Sequence, residues 1–110
     1  EFFALEGITQ LIKTIDRIKE KLNPELFVRG ILLTMFDKRN KLSAQVDTEA
    51  RKFFNEKVYQ TVIPRNVRLS EAPSHGVPIL IYDELCAGSK SYSSFAEEFL
   101  KQENIMDSAA

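Results

Sequence analysis

The segment "KVYQTVIPRNVRLSEAPSHG", residues 57 to 76, contains the transition that decides the fold. Its first part, 57 to 63, is rich in β-branched and aromatic residues and predicts a β-strand. Pro64 fixes its own backbone angle and turns the chain out of that strand. We interpret the mostly polar residues that follow as a loop. Loops at strand ends commonly carry binding residues, because a rigid scaffold holds their backbone while their side chains stay accessible.

Upstream of this segment, "VRGILLTMF" at 28 to 36 predicts a second, buried strand. Apolar residues at three- and four-residue spacing predict a helix over 5 to 22 and another over 43 to 55. The residues expected to face inward are Leu5, Ile8, Leu11, Ile12, Ile15, Ile18 and Leu22 in the first helix, and Val46, Ala50, Phe53 and Phe54 in the second.

Downstream, "PILIYD" at 78 to 83 is compatible with a short strand or an extended segment. Ser89 or Ser91 is expected to cap a last helix that continues to about Gln102. Its inward residues would be Tyr92, Phe95, Ala96, Phe99 and Leu100. We expect residues 103 to 110 to form a flexible tail.

The order of these elements predicts an α/β fold with parallel strands joined by crossover helices. Two or three strands make a poor parallel sheet alone, because such sheets need cover on both faces and neighbours at their edges. We therefore expect the chain to form part of a larger, doubly wound sheet. Its first residue is Glu rather than Met, which also favours the interior of a longer protein.

Composition narrows the possible functions. The chain has 110 residues with 44% apolar and 28% charged residues, which is typical of one small globular domain. The net charge of −1 leaves any nucleic-acid binding to a local patch. The single cysteine, Cys86, excludes an intrachain disulfide and, with one histidine, argues against a zinc or haem site. No apolar segment approaches the roughly 20 residues of a membrane span, and no signal peptide is visible.

Two predicted loops follow the strands, at 34 to 41 and at 63 to 76. In open α/β sheets, ligands bind at the carboxyl ends of the strands. If the strands are neighbours, Arg39, Arg65 and Arg68 would meet at one edge, although each could equally be a solvated surface charge. Asn66 after Pro64 could hydrogen-bond a planar base, but both are also ordinary turn residues.

The sequence shows no recognisable arrangement of catalytic residues. His75 before Gly76 is typical of a surface turn, and no serine, cysteine or acid is paired with it as in a triad. None of the four glycines opens a phosphate-binding G-x-x-x-x-G-K-[ST] loop.

The segments "FFALEGITQL", "GILLTMFDKRNKLSAQV" and "VYQTVIPRNVRLSEAPSHGVPILIYD" resemble the C-terminal half of the ParA family, the chromosome and plasmid partitioning ATPases. The stretch "VIPRNVRLSEAPSHG" is specific to the chromosomal branch, whereas the related MinD and nitrogenase iron proteins match it less closely. The resemblance assigns 1 to 102 to the C-terminal portion of one P-loop NTPase domain, followed by the tail at 103 to 110.

The resemblance implies that the full protein binds ATP with Mg²⁺, forms a homodimer around the nucleotide and binds DNA without sequence preference. It also implies a ParB-type partner and a cytoplasmic location at the bacterial nucleoid, with no membrane association. By the same resemblance, Pro64, Arg65 and Asn66 would contact the adenine, with Met35 and Asp37 near the nucleotide. The resemblance also matches Arg39 and Arg68 to positions that the family uses for non-specific DNA binding.

Phosphate-binding and Walker B segments are absent from these 110 residues. We therefore expect poor nucleotide affinity in this chain alone, so that it carries no bound cofactor, because the helix N-terminus that holds phosphate is missing. We also expect it to be inactive as an ATPase. The alternative is a stand-alone or degenerate DNA-binding or interaction module without nucleotide chemistry. A third possibility is that the chain associates through exposed strand edges and apolar faces.

Overall fold

The computed structural model describes residues 4–109. In that range the elements are α1 (Ala4–Lys21), β1 (Ile31–Phe36), α2 (Lys41–Phe54), β2 (Val58–Pro64), α3 (Val67–Glu71), α4 (Ile79–Tyr82) and α5 (Ala87–Ala109), with 3₁₀ turns at Asn55–Lys57 and Ala72–His75. The chain divides into two compact units, Glu1–Ile31 with Lys38–Val58 and Leu32–Asp37 with Tyr59–Ala110. The predicted α/β class is confirmed, while the complete doubly wound sheet stays a prediction.

The first unit contains α1 and α2, which contact each other. Helix α2 begins after Asn40, whose side-chain oxygen accepts a hydrogen bond from the Leu42 N–H at 2.8 Å. Such a cap satisfies one of the N–H groups that the first helical turn leaves without a partner. Ala50 of α2 is fully buried. The Lys57 ammonium donates to the Val28 carbonyl at 3.0 Å, which fastens the segment before β1 to the end of α2.

The predicted apolar stripe of α1 is only partly covered. Ile8, Ile12 and Ile15 are half-buried, as expected. Leu11 and Ile18 are exposed, as is Leu22, which lies beyond the end of the helix at Lys21. The helical spacing was therefore right, but the inward assignment was wrong for these three residues, because the contact with α2 covers only part of the stripe. The side chain of Leu5 lies outside the described residues.

Strands β1 and β2 pair in a two-stranded sheet that belongs to the second unit, apart from the first residue of each strand. The Arg65 N–H, just after β2, donates to the carbonyl of Phe36, the last residue of β1, at 2.9 Å. Because this bond joins the two carboxyl ends, both strands end at the same edge. The predicted parallel arrangement is confirmed.

Helix α5 packs on β2 through aromatic side chains. The Tyr59 ring, only 5% exposed, meets Phe95 edge-on with centroids 4.9 Å apart, and Phe95 lies 6.1 Å from Phe99. Glu98, on the same helix, accepts hydrogen bonds from backbone N–H groups of β2. Near its N-terminus, α5 contacts α3 so closely that a Cβ on Gly88 would lie 2.5 Å from Leu69 Cγ.

Two segments have a different secondary structure from the prediction. The supposed loop after β2 contains α3 and a 3₁₀ turn, because Asn66 caps a short helix that its polar sequence concealed. The segment at 78 to 83 forms the single helical turn α4, with the Tyr82 N–H bonded to the Pro78 carbonyl at 2.9 Å. A short apolar run has no periodicity that separates strand from helix, and proline at its start suits a helical beginning.

Several boundaries and inward assignments also differ. Strand β1 begins at Ile31 rather than at 28, and α5 starts at Ala87 and continues past Gln102 to Ala109. Whether residues 103 to 110 are mobile stays a prediction. The side chains that were assigned inward but are exposed are Phe53 of α2 and Tyr92, Ala96 and Leu100 of α5. Periodicity identifies one face of a helix, but the neighbouring elements determine how much of that face is covered.

Candidate functional site

A cavity of about 350 Å³ lies at the edge where β1 and β2 end, within the second unit. Its wall is formed by four elements, the ends of β1 and β2 and helices α3 and α5, together with the short segment that follows β2. The lining residues are Thr34, Met35, Ile63, Pro64, Arg65, Asn66, Val67, Leu69, Ser70 and Tyr92. Its volume falls in the range of small-molecule sites, and an apolar wall with a few polar groups is typical of them.

Asn66 connects the strand end to α3. Its backbone is extended, with φ −147° and ψ 123°, and its side-chain oxygen accepts from the Arg68 N–H at 2.9 Å. Capping therefore occupies the carbonyl oxygen, and the side-chain NH₂ is the group that can donate to a ligand. The sequence contained a signal for this cap, since asparagine is preferred immediately before a first helical turn.

Met35 has an unusual backbone conformation beside the cavity. Its φ is 56°, in the left-handed region that a non-glycine side chain rarely adopts. The side chain is half exposed and contributes to the cavity wall. Conformations of this kind cost free energy and concentrate at binding sites, where the surrounding structure maintains them.

The structure brings together four of the five residues that the resemblance assigns to the nucleotide: Met35, Pro64, Arg65 and Asn66. Asp37 directly follows β1 but is not among the residues that line the cavity. Arg39 is exposed in the turn before α2 and belongs to the first unit, whereas Arg68 belongs to the second. A shared surface for these two arginines stays a prediction.

The other six lining residues were not assigned to the site from the sequence: Thr34, Ile63, Val67, Leu69, Ser70 and Tyr92. Leu69 and Ser70 were missed because their helix was interpreted as a loop. Tyr92 was assigned to the core, but 36% of it is exposed and it contributes to the wall.

A charged cluster lies on α3 and α4, which contact each other. We call Arg68, Glu71, Tyr82 and Asp83 the Arg68 cluster. The guanidinium of Arg68 lies between two carboxylates, with Nη1 3.1 Å from Glu71 Oε2 and Nε 3.4 Å from Asp83 Oδ2. The Tyr82 hydroxyl donates to the same Glu71 oxygen at 2.5 Å. Half of the Arg68 side chain remains exposed, so the cluster lies at the surface.

Mutual hydrogen bonds shift the ionisation of this cluster. The Tyr82 hydroxyl lowers the pKa of the Glu71 carboxyl, and Arg68 and His75 act in the same direction. The bond to Glu71 raises the pKa of the Tyr82 phenol. Glu71 also raises the pKa of the Arg68 guanidinium. The neutral phenol, the carboxylate and the guanidinium are therefore the favoured forms at neutral pH.

Between residues 4 and 109, no three His, Cys, Asp or Glu side chains are grouped so that they could hold a metal ion. No helix in the same range is both long and apolar enough to cross a membrane.

Comparison with known proteins identifies the family. The model of the CobQ/CobB/MinD/ParA nucleotide binding domain matches residues 5–79. The chromosome partitioning protein ParA of Caulobacter vibrioides (strain NA1000 / CB15N) is 56% identical over 103 residues, which are 94% of this chain and 39% of that protein. The sporulation initiation inhibitor protein Soj of Bacillus subtilis (strain 168) is 52% identical over 98 residues, covering 89% of this chain and 39% of that protein.

A third relative, the chromosome-partitioning ATPase Soj of Thermus thermophilus, is 46% identical over 100 residues, which are 91% of this chain and 40% of that protein. The chain thus spans about two fifths of the length of these relatives. It belongs to the CobQ/CobB/MinD/ParA nucleotide-binding family, in the branch that contains ParA and Soj.

Proposed function

We propose that this chain forms the base-side part of the nucleotide site, and part of the DNA-binding surface, of a ParA-type partitioning ATPase. The observation that carries the proposal is the cavity where the parallel strands β1 and β2 end. Ligands of open α/β sheets bind at this edge. Family membership supports a nucleotide as the ligand.

The cavity fits a purine base better than it fits phosphates. Met35 and Pro64 offer apolar surface to the faces of a planar ring, and the Asn66 NH₂ can donate to a ring nitrogen. Arg65 lines the same cavity and would also contact the adenine, and Asp37, which directly follows β1, would lie near the nucleotide. No glycine-rich phosphate loop occurs in the sequence, so we assign no phosphate contact to these residues.

ATP with Mg²⁺ is the ligand we propose for the complete ATPase. The described residues offer no cluster for a metal ion, and we assign no Mg²⁺ ligand to this chain. Homodimer formation around the nucleotide and a ParB-type partner are likewise proposed for the complete protein. They rest on the similarity to the ParA of Caulobacter vibrioides and the Soj of Thermus thermophilus, whose names refer to chromosome partitioning.

For DNA, we propose that Arg39 and Arg68 contact phosphates without reading the base sequence. Arginine suits this role because its planar fork matches phosphate oxygens and stays charged at any physiological pH. Both side chains are exposed. Binding of this kind weakens steeply with salt, because it depends on the release of counterions from DNA.

Filling the cavity tests the base-side site. Ser70 lines it and is exposed, so Ser70→Phe should occupy the base position without disturbing the core. Ser74→Phe is the matched control, since Ser74 is exposed in the neighbouring 3₁₀ turn and does not line the cavity. In NMR titrations with ATP, we expect amide shifts at 34–37 and 63–70 in the control and a loss of affinity of at least about tenfold in Ser70→Phe. Equal affinity in both variants would contradict the proposal.

A further inference from the structure

Carboxylates surround the arginine that we propose as a DNA contact. Glu71 lies 3.1 Å from Arg68 Nη1, and Asp83 lies 3.4 Å from Nε. One guanidinium between two carboxylates gives this part of the surface a net charge of −1. A free arginine would attract a phosphate, but this one is already compensated by neighbours within hydrogen-bond or ion-pair distance.

The Glu71 carboxylate is held in place by more than Arg68. Glu71 Oε2 accepts from the Tyr82 hydroxyl at 2.5 Å as well as from Arg68. The Tyr82 ring in turn contacts the His75 ring, with centroids 4.8 Å apart and the planes tilted by 39°. Glu71 therefore has a fixed partner other than Arg68, and an approaching phosphate cannot simply displace it.

Coulomb's law allows the competing effects to be compared. A phosphate bound at Arg68 lies roughly twice as far from each carboxylate as from the guanidinium, and Coulomb energy falls as the inverse of distance. Two repulsions at half strength cancel about one attraction. The distance from the phosphate to each carboxylate is comparable with the Debye length of about 8 Å at physiological salt, so screening weakens the repulsion without removing it. Glu71 and Asp83 also orient the Arg68 side chain. This effect on DNA binding is smaller than the repulsion, because exposed ion pairs contribute little free energy.

We infer that Glu71 and Asp83 lower the DNA affinity at Arg68, because their negative charges offset the attraction between its guanidinium and a phosphate. The inference rests on the proposed DNA-binding role of Arg68 and deepens it. Arg68 alone then attracts a DNA duplex only weakly. It adds to binding where other positively charged side chains supply most of the attraction. Tyr82 acts as a positioning residue that keeps the Glu71 carboxylate in the cluster.

Charge-removing substitutions of similar shape test this inference. We would measure binding of a random-sequence DNA duplex by fluorescence anisotropy over a series of salt concentrations, with and without Mg²⁺ and ATP. Glu71→Gln and Asp83→Asn should each strengthen binding about threefold at low salt, because each removes one nearby repulsion. The slope of log affinity against log salt should become steeper, by up to about 0.9.

Two controls separate this local effect from net charge and from structure. Glu97→Gln changes net charge equally on an exposed position of α5, and we expect less than a twofold gain. Tyr82→Phe keeps every charge but removes the hydroxyl that positions Glu71, so it should strengthen binding by less than Glu71→Gln does, without the steeper salt slope. In Arg68→Ala combined with Glu71→Gln, the threefold gain should disappear.

The outcomes distinguish the inference from the proposed function. If Arg68→Ala weakens binding while Glu71→Gln and Asp83→Asn behave like Glu97→Gln, the inference fails and the DNA-binding role of Arg68 stands. If Arg68→Ala leaves DNA affinity unchanged, the DNA-binding role fails and the inference fails with it. Circular dichroism of each variant verifies that its fold is retained.

Discussion

At the scale of single residues, Ser89 illustrates a polar group in an unfavourable environment. It is 1% exposed, and its hydroxyl has no hydrogen-bond partner within the part of the chain that the structure describes. Burying such a group costs free energy, because its bonds to water are lost without replacement. Removing the hydroxyl should therefore be favourable or neutral, unlike most substitutions of buried residues.

We expect Ser89→Ala to raise the free energy of unfolding by about 1 kcal/mol, measured by urea denaturation. Ser93→Ala is the matched control, because it makes the same change at an exposed position of α5 and reports helix propensity alone. A Ser89→Ala protein less stable than the control would show that the hydroxyl has a partner in solution.

Glu71 gives a prediction about pH. The Tyr82 hydroxyl lowers the pKa of this carboxyl, with Arg68 and His75 acting in the same direction. A carboxyl whose folded-state pKa is lowered stabilises the fold above its ordinary pKa of about 4.3, and this stabilisation is lost as pH falls through the folded value. For Tyr82 the sign is opposite: its pKa is raised, so its contribution is lost as pH rises through the folded value.

Tyr82→Phe should therefore move the Glu71 pKa back up toward its ordinary value and make stability less dependent on pH on the acid side. NMR titration of the Glu71 carboxyl carbon measures this directly. Tyr92→Phe makes the same change on α5 and should leave Glu71 unaffected. An unchanged Glu71 pKa in Tyr82→Phe would mean that Arg68, rather than the phenol, dominates the shift.

At the scale of elements, α5 completes the hydrogen bonding of β2. The Glu98 carboxylate accepts from the Gln60 N–H at 2.7 Å and from the Thr61 N–H at 2.9 Å. Backbone donors of this kind on a strand can pair with other chains, and proteins commonly cover them. A helix carboxylate that accepts two such donors both anchors the helix and protects the strand.

Glu98→Gln should lower the free energy of unfolding by about 1 kcal/mol, because the amide offers only one accepting oxygen and no charge. Most of the loss should appear in hydrogen exchange of the Gln60 and Thr61 amides. The neighbouring Glu97→Gln on the same helix provides the comparison and should have little effect. Equal exchange rates at these amides in both variants would refute the anchoring role.

The contact between α3 and α5 depends on a glycine. An added Cβ at Gly88 would lie 2.5 Å from Leu69 Cγ and within 2.9 Å of both its methyl carbons, so Gly88→Ala must displace the helices. We expect a loss of about 1–3 kcal/mol, as is usual for overpacking. Gly7→Ala in α1 has open space and should instead stabilise the protein by up to about 1 kcal/mol. Thermal unfolding of both variants measures the contrast, and stabilisation by both would contradict the close contact.

At the scale of the whole molecule, the strands, their parallel pairing and the long helices could be predicted from sequence. Local composition suffices for them: β-branched residues indicate β2, and helical spacing indicates α1 and α2. Exposure of Phe53 and Leu11 could not be predicted, because it depends on which neighbours cover each face. The short helices α3 and α4 were missed because four or five residues carry no periodicity.

The candidate site was predictable to a similar extent. Pro64 and Asn66 were placed at the strand end because a strand, a proline and polar residues follow one another in the sequence. The ion pair of Arg68 with Glu71 has helical spacing, but it was concealed when this segment was interpreted as a loop. Asp83 and Tyr82 are distant in sequence, so only the packing of α4 against α3 brings them to Arg68.

Photoaffinity labelling with 8-azido-ATP tests the central claim, that the carboxyl ends of β1 and β2 form a base-side nucleotide site. Its reactive group is on the adenine, so the labelled peptide, identified by mass spectrometry, reports where the base binds even when affinity is weak. We predict labelling at 34–36 or 63–70 that excess ATP suppresses. Labelling spread over other segments, or unaffected by ATP, would contradict the claim.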